Sequence, residues 1–491
     1  MPRPRSSTAW TFAITAIALF MVSLDNLVVT TALPVIQRDL GSSLQDLEWM
    51  VNAYTLTFAV LLLTGAALGD RFGRRRLFII GLLVFTAGSA AAALAPSSTA
   101  LILARATQGV GGAIVTPLTL TILSAAVPPE RRALALGAWG GIGGLAIAVG
   151  PVVGGAIAQG LNWHWIFWLN VPVGIVAVVL ASLRLEETRG PAGALDLPGL
   201  GLASGGLLAV VWSVIHGNDY GWTDPRILVA GVAGVTLLVA FVAWERRAAS
   251  PMLPLSMFRN RSFATANTVA LLMSFGMFGS IFLLSQFFQV VQGMNPFEAG
   301  LRVLPWTAMP AFVAPVAGGL SGRIGARPIL VAGMTLMAIG LAWVAAVTTP
   351  TVAYPTLVPA FVVSGIGMGL FFAPIANVVL SAVAPSLEGK ASGASNTIRE
   401  IGGVFGVAVL AAVFSANGSY GSPQTYVDGL IPAVWVGAFI VGLGAIAALV
   451  LPARTSVVPG AVADMARPTP VTELELQLVP ASIESPVSGT R

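Results

Sequence analysis

Apolar runs of close to twenty residues recur along the chain, divided by short polar segments. A helix needs about 20 apolar residues to cross the hydrocarbon of a bilayer. Windows of that length predict spans near residues 10–33, 50–69, 77–95, 99–126, 134–158 and 164–183. Two more are predicted near 196–216 and 226–244, and six near 262–291, 299–321, 328–347, 355–383, 393–415 and 430–452. The pattern predicts an all-α polytopic membrane protein with 14 transmembrane helices. The start, M-P-R-P-R followed by an apolar run, imitates a signal peptide. The run continues past Asp25 to Pro34 with no small-x-small cleavage site, so an uncleaved first span is expected.

Composition narrows the class. Of 491 residues, 56% are hydrophobic and 9% charged, against about 25% charged in soluble domains. The sequence pI is near 10.2, yet the basic residues form short clusters between apolar runs rather than a stripe with interleaved aromatics. A nucleic-acid partner is therefore not expected. There is no cysteine and there are two histidines, so neither a disulfide nor a metal centre is expected. No nucleophile, base or metal set is clustered as an enzyme would require.

Charge also orients the spans. Arg3, Arg5, the cluster Arg71 to Arg76, Arg131, Arg132, Arg184, Arg189, Arg246, Arg247, Arg259, Arg261, Arg323, Arg327, Lys390 and Arg454 fall on one side of the predicted topology. The opposite loops hold Arg38 and Arg226. Basic residues favour the cytoplasmic side, which places both termini there and agrees with an even number of spans. The preference for Arg over Lys hints at a GC-rich bacterial genome, hence the cytoplasmic membrane of a bacterium. Residues 453–491, rich in Pro, Ser and Thr, read as a disordered cytoplasmic tail.

The loop G-D-R-F-G-R-R-R (Gly69 to Arg76) has a weaker copy, S-G-R-I-G-A-R-P (Ser321 to Pro328), after the second span of a later six-span block. Two blocks with the same basic, Gly-containing loop suggest a duplicated transporter with parallel halves. The expected organisation is a cytoplasmic N-terminus (1–9), a first six-helix bundle (10–183), an inserted helix pair with its linkers (184–261) and a second bundle (262–452).

Polar residues inside spans are functional candidates, because a charge at the bilayer centre costs at least about 2.5–3.5 kcal/mol. Asp25 lies in the first span, beside Asn26. In span four, Arg105, Gln108, Gly109, Gly112, Thr116 and Thr119 share one helical stripe. Counting residues from the outer surface puts Arg105 and Asp25 at comparable depth, as plausible partners. In span thirteen Glu400 falls near the midplane with Asn396 and Gly403 on its face, and Arg399 points about 100° away, so those neighbours need not pair. Glu400 is the second candidate for binding a proton or cation. Asn267, Ser274, Phe278, Ser285 and Gln289 line up in span nine. With Tyr54, Trp306, Phe371 and Phe372 they supply a surface suited to varied amphipathic ligands.

Several of these stretches resemble motifs of the major facilitator superfamily, in particular its 14-span drug:proton antiporter branch. G-D-R-F-G-R-R-R resembles the signature loop, with Ala66 where a leading Gly is usual. L-I-L-A-R-A-T-Q-G-V-G-G-A (Leu101 to Ala113) resembles the fourth-helix motif and G-P-V-V-G-G (Gly150 to Gly155) the antiporter motif of helix five. S-L-D-N-L-V-V-T-T-A-L-P (Ser23 to Pro34) and W-H-W-I-F-W-L-N-V-P-V-G (Trp163 to Gly174) resemble the first- and sixth-helix motifs. The resemblance implies two six-helix bundles plus two inserted helices. It implicates Arg105 in proton coupling, to which Asp25, its expected partner, and Glu400 are added as candidates by the cost of a charge in the bilayer. It makes Asp70, Arg71, Gly73, Arg74 and Arg75 a conformational latch between the halves. Gly150, Pro151, Gly154 and Gly155 become a pivot and seal. The expected function is proton-coupled export of amphipathic, often cationic, drugs or toxic metabolites by alternating access. The gradient supplies the drive, no cofactor is needed, and a monomer in the bilayer suffices. A lipid or specific-metabolite exporter and a proton symporter for nutrient uptake are the alternatives.

Overall fold

The computed structural model describes residues 8–128, 142, 145–146, 149–150, 152–189, 196–383 and 387–452. All the regular structure there is helical: α1 (Thr8–Leu40), α2 (Leu44–Phe72), α3 (Arg74–Ala93), α4 (Ser98–Ala126), α5 (residues 152–160), α6 (His164–Trp168) and α7 (Asn170–Arg184). These are followed by α8 (Leu197–Tyr220), α9 (Pro225–Glu245), a 3₁₀ turn (Leu255–Arg259), α10 (Arg261–Val290), α11 (Pro296–Thr307) and α12 (Met309–Ile324). The chain ends its described course with α13 (Ala326–Val347), α14 (Tyr354–Ser381), α15 (Glu388–Asn417) and α16 (Pro423–Leu449). Among the described residues 12 helices are long and apolar enough to cross a membrane, or 13 if α2, bent by 50° near Leu62, counts as one span. Most of the predicted span 134–158, and the tail 453–491, lie outside the described residues.

Several helices begin or end where apolar windows do not. α2 starts six residues before the predicted span because Ser43 and Asp46 form a capping box, which satisfies N–H groups that a helix start leaves open. A second such box, Ser422 with Thr425, starts α16 seven residues early. α1 runs on past Pro34 to Leu40, held by tertiary contacts: Ile36 is fully buried and Trp163 Nε1 donates to Asp39 at 2.7 Å. The predicted span 299–321 is divided into α11 and α12 at Ala308, where Pro305 and Pro310 each remove a helical donor.

In the first half α4 packs on α2, α3 and α1, and α7 on α3 and α1. In the second, α10 packs on α15 and α16, and α13 on α14 and α16. The halves meet at the end remote from the basic loops. There Ser285 of α10 donates to the Thr30 carbonyl at 3.1 Å, and Gln289 Nε2 to the Thr31 carbonyl at 2.7 Å. α8 lies over the seam between α2 and α15: Leu207, Val211 and Ile215 cluster with Leu56, Val60, Val404 and Ala408. α9 packs chiefly on α8, and its Val229, Val232, Val235 and Val239 form an exposed apolar stripe, as suits a lipid-facing helix.

Candidate functional site

Four helices converge on Asp25 of α1. α4 brings Arg105, whose Nη1 donates to Asp25 Oδ2, with both side chains fully buried. One turn on, Gln108 Nε2 donates to Asp25 Oδ1 at 3.1 Å, and its Oε1 accepts from Arg105 Nη1 at 3.0 Å. α7 contributes its first residue, Asn170, whose amide donates to Asp25 Oδ1 at 2.7 Å. α3 contributes Ser89, whose hydroxyl accepts from Gln108 at 2.7 Å. α2 contributes the Met50 carbonyl, 3.1 Å from Arg105 Nε, and the Tyr54 ring, whose centroid lies 4.3 Å from the guanidinium carbon. Tyr54 is fixed in turn by its hydroxyl, which donates to the Val22 carbonyl at 3.2 Å. Arg105 Nη2 is buried and has no partner among the described residues.

The network is compact because a polar side chain in lipid must find its partners inside the bundle. Asp25 and Arg105 cancel each other's charge, and the amides of Gln108 and Asn170 complete the carboxylate's shell. A buried ion pair contributes little net stability over an apolar replacement, but removing one partner costs about 3–5 kcal/mol. Asn170, Ser89 and the Met50 carbonyl were not singled out in the sequence. Asn170 stands in the quoted stretch W-H-W-I-F-W-L-N, and an Asn between two apolar turns was the available signal.

Glu400 is 5% exposed. Contrary to the helical-wheel expectation, Arg399 reaches back to it, Nη2 to Oε1 at 3.4 Å, because a long guanidinium side chain spans the angle between neighbours. Glu400 Oε2 has no partner among the described residues. Tyr54 lies within electrostatic reach of Asp25, Arg105 and Glu400 alike.

The cavity candidates divide into two groups. Thr116, Phe278 and Asn396 are half-buried. Ser274, Gln289, Trp306 and Phe371 are buried, so in this conformation they pack rather than line open space. Trp306 stacks on Phe361 and Gln289 joins the two halves. The side chain of Asn26 lies outside the described residues, as does Pro151.

Around the basic loop, Arg74 Nε pairs with Asp70 at 2.8 Å and Arg71 stands over the Phe72 ring. The loop is tied to the segment after α7. Arg75 Nη2 donates to the Ser182 carbonyl, and Glu187 accepts from the backbone N–H groups of Arg75 and Arg76 at 3.0 and 3.2 Å. In this conformation these bonds lie within the first half. Gly73 has φ +110°, and a Cβ there would stand 2.7 Å from Glu187 Oε1. Gly325, in the weaker copy, has φ +88°, so both loops reverse on a glycine in a conformation other residues avoid. Gly150 is buried. Gly154 approaches Val28 of α1, and a Cβ on Gly155 would stand 2.2 Å from the Pro296 carbonyl oxygen, which brings α5 against α11 of the other half.

A sequence profile of the Major Facilitator Superfamily matches residues 15–407 and 304–480. The tetracenomycin C resistance and export protein of Streptomyces glaucescens is 34% identical over 426 residues, 86% of this chain and 79% of that one. The multidrug resistance protein Stp of Mycobacterium tuberculosis is 36% identical over 408 residues, 83% of this chain and 76% of its own. The cephamycin export protein CmcT of Amycolatopsis lactamdurans is 39% identical over 431 residues, 85% and 87% of the two chains. Among solved structures, a bacterial homologue of the human lysosomal transporter Spinster, inward-facing and unoccupied, superposes with a TM-score of 0.64 at 17% identity, covering 91% of this chain and 97% of that one.

Proposed function

The chain belongs to the Major Facilitator Superfamily, whose members named above are transporters, and on that premise we propose that it is a proton-coupled exporter of amphipathic drugs or toxic metabolites. The observation that carries this reading is the buried Asp25–Arg105 pair in a chain whose relatives are named for drug resistance and export.

The proposed cycle follows from the chemistry of that pair. In the conformation described, Arg105 is held against Asp25 and the halves are closed at the end remote from the basic loops. If the basic loops face the cytoplasm, this conformation is open inward and receives substrate from that side. When that end opens, a proton from outside reaches Asp25, neutralises it and removes the Coulombic hold on Arg105, which shifts the balance between the two states. The membrane potential adds about 2.3 kcal/mol per charge per 100 mV. Glu400, with one oxygen unpartnered, is the group placed to receive a cationic substrate, and half-buried Phe278 and Asn396 adjoin it along α10 and α15.

The test is transport in proteoliposomes with an imposed pH gradient. Asp25→Asn is expected to abolish proton-driven export by at least about a hundredfold, the equivalent of roughly 3 kcal/mol, while substrate still exchanges without a gradient. Export by Asp25→Asn that still follows the pH gradient would overturn the assignment, and proton-driven uptake by the unaltered protein would overturn the direction.

A further inference from the structure

A second buried carboxylate lies outside the Asp25 network. Glu48 is the fifth residue of α2, about 6 Å along the axis from the helix start at 1.5 Å per residue, and is 2% exposed. The capping box at Ser43 and Asp46 carries the helix back far enough to include it, in a helix that packs on α8 and α15. Asp219 of α8 and Tyr420 of the loop between α15 and α16 lie within electrostatic reach.

None of its neighbours supplies a counter-charge. Asp219 carries the same sign and accepts from Gln45 at 2.8 Å, and His216, one turn away, bonds to the Trp212 carbonyl. Tyr420 donates its proton to Gln286 Oε1 at 2.6 Å. Asp46 is held in the capping box. At the same end of α15, Ser415 is engaged with Asn218 and Asn417 with the Val413 carbonyl, and the Arg399–Glu400 pair lies roughly 20 Å further along that helix. On α4, Arg105 is committed to Asp25. On α1, Arg38 bonds to the Pro34 carbonyl and Asp39 accepts from Trp163. Glu48 Oε2 has no hydrogen-bond partner among the described residues, and one turn on the fully buried Asn52 has neither side-chain atom partnered. These two residues share a face of α2. An ionised carboxylate in such a place is costly, whereas a neutral carboxyl carries an O–H donor with an amide one turn away to accept it.

We propose that Glu48 is a second proton-binding site, which takes up a proton as the end remote from the basic loops closes and releases it when α2 parts from α8 and α15. This rests on the alternating-access reading above, and couples closure at that end to external acidity through a group distinct from Asp25.

The natural absence of cysteine makes the test direct. Leu94→Cys and Gln424→Cys place one spin label in each half at that end, and pulsed electron spectroscopy of the protein in lipid nanodiscs reads the distance between them across a pH series. The closed population is expected to grow as pH falls, Glu48 contributing up to tenfold per pH unit, the limit for one proton. Glu48→Gln, which mimics the neutral acid, should raise the closed population at high pH and lose that contribution; Glu48→Asp should keep it. Infrared difference spectra should show a protonated carboxyl in the closed state whose frequency moves in Glu48→Asp. An unchanged pH slope in Glu48→Gln, or no such carboxyl, overturns the proposal. Run in the Asp25→Asn background, the same label pair separates the two assignments. A slope that persists there supports Glu48 even where proton-driven export has failed, and a slope lost there but kept in Glu48→Gln overturns it.

Discussion

Asp25 and Glu400 are both carboxylates buried in long apolar helices, one in each half, yet their surroundings differ in kind. Asp25 receives Arg105, Gln108 and Asn170 from two other helices. Glu400 has a sequence neighbour at 3.4 Å, partly exposed itself, and an oxygen with no partner among the described residues. A saturated carboxylate responds to a proton by releasing what it holds. An unsaturated one has capacity left for a ligand. On the function proposed above, the difference assigns coupling to the first half and reception of positive charge to the second, even though a repeat in the sequence relates the two.

The comparison breaks most readily at Arg105. Arg105→Lys keeps the charge but loses the fork that bonds Met50, Asp25 and Gln108 together, and a point charge on a flexible stem does not replace it. Proton-driven export is expected to fall roughly a hundredfold, about 3 kcal/mol, with substrate binding, read by fluorescence titration, left intact. Full activity in this variant would show that the network's geometry is immaterial. A smaller effect is expected from Glu400→Gln. Loss of one desolvated charge interaction of about 1.5–3 kcal/mol weakens export of cationic substrates roughly 10- to 100-fold and leaves neutral substrates unaffected. Equal loss for both classes would place Glu400 in coupling and erase the distinction between the halves.

How much of this was legible in the sequence depended on the distance over which each signal acts. Apolar windows locate most helices because burial in lipid is set by local composition. The Asp25–Arg105 juxtaposition could be reached by counting residues from the membrane surface, since depth is additive along a straight helix. Asn170 and Ser89 could not, because which helices adjoin Asp25 depends on packing that no window reports. The early start of α2, and with it the burial of Glu48, was hidden for the opposite reason. A two-residue capping box at Ser43 and Asp46 is too short and too polar for an apolar window to register. The packing of Trp306 and Gln289, residues whose type suits a cavity, reflects the conformation adopted, which a periodic pattern does not encode.

A third carboxylate sharpens the comparison with the smallest effect. Asp196, just before α8, is saturated like Asp25: it caps the helix through Gly199 N–H at 2.8 Å and accepts from the Trp244 indole at 2.7 Å and from Met252 N–H at 3.4 Å. Among the described residues it has no cation in the network. Partial burial pushes its carboxyl up, but these hydrogen bonds, together with one shared with the Glu245 carboxyl, outweigh that and hold it below its ordinary value. A carboxyl held low when folded stabilises the protein above the ordinary carboxylate range, and that contribution is lost as pH falls through the folded value. Asp196→Ala is therefore expected to lower stability by about 1 kcal/mol, the usual worth of a helix cap, at neutral pH. The gap from the unaltered protein should narrow in acid, as read from thermal unfolding in detergent. Export should be unchanged. If removing Asp196 instead reduced proton-driven export as Arg105→Lys does, hydrogen-bond saturation alone would suffice for coupling, and the charge pairing that sets Asp25 apart would lose its meaning.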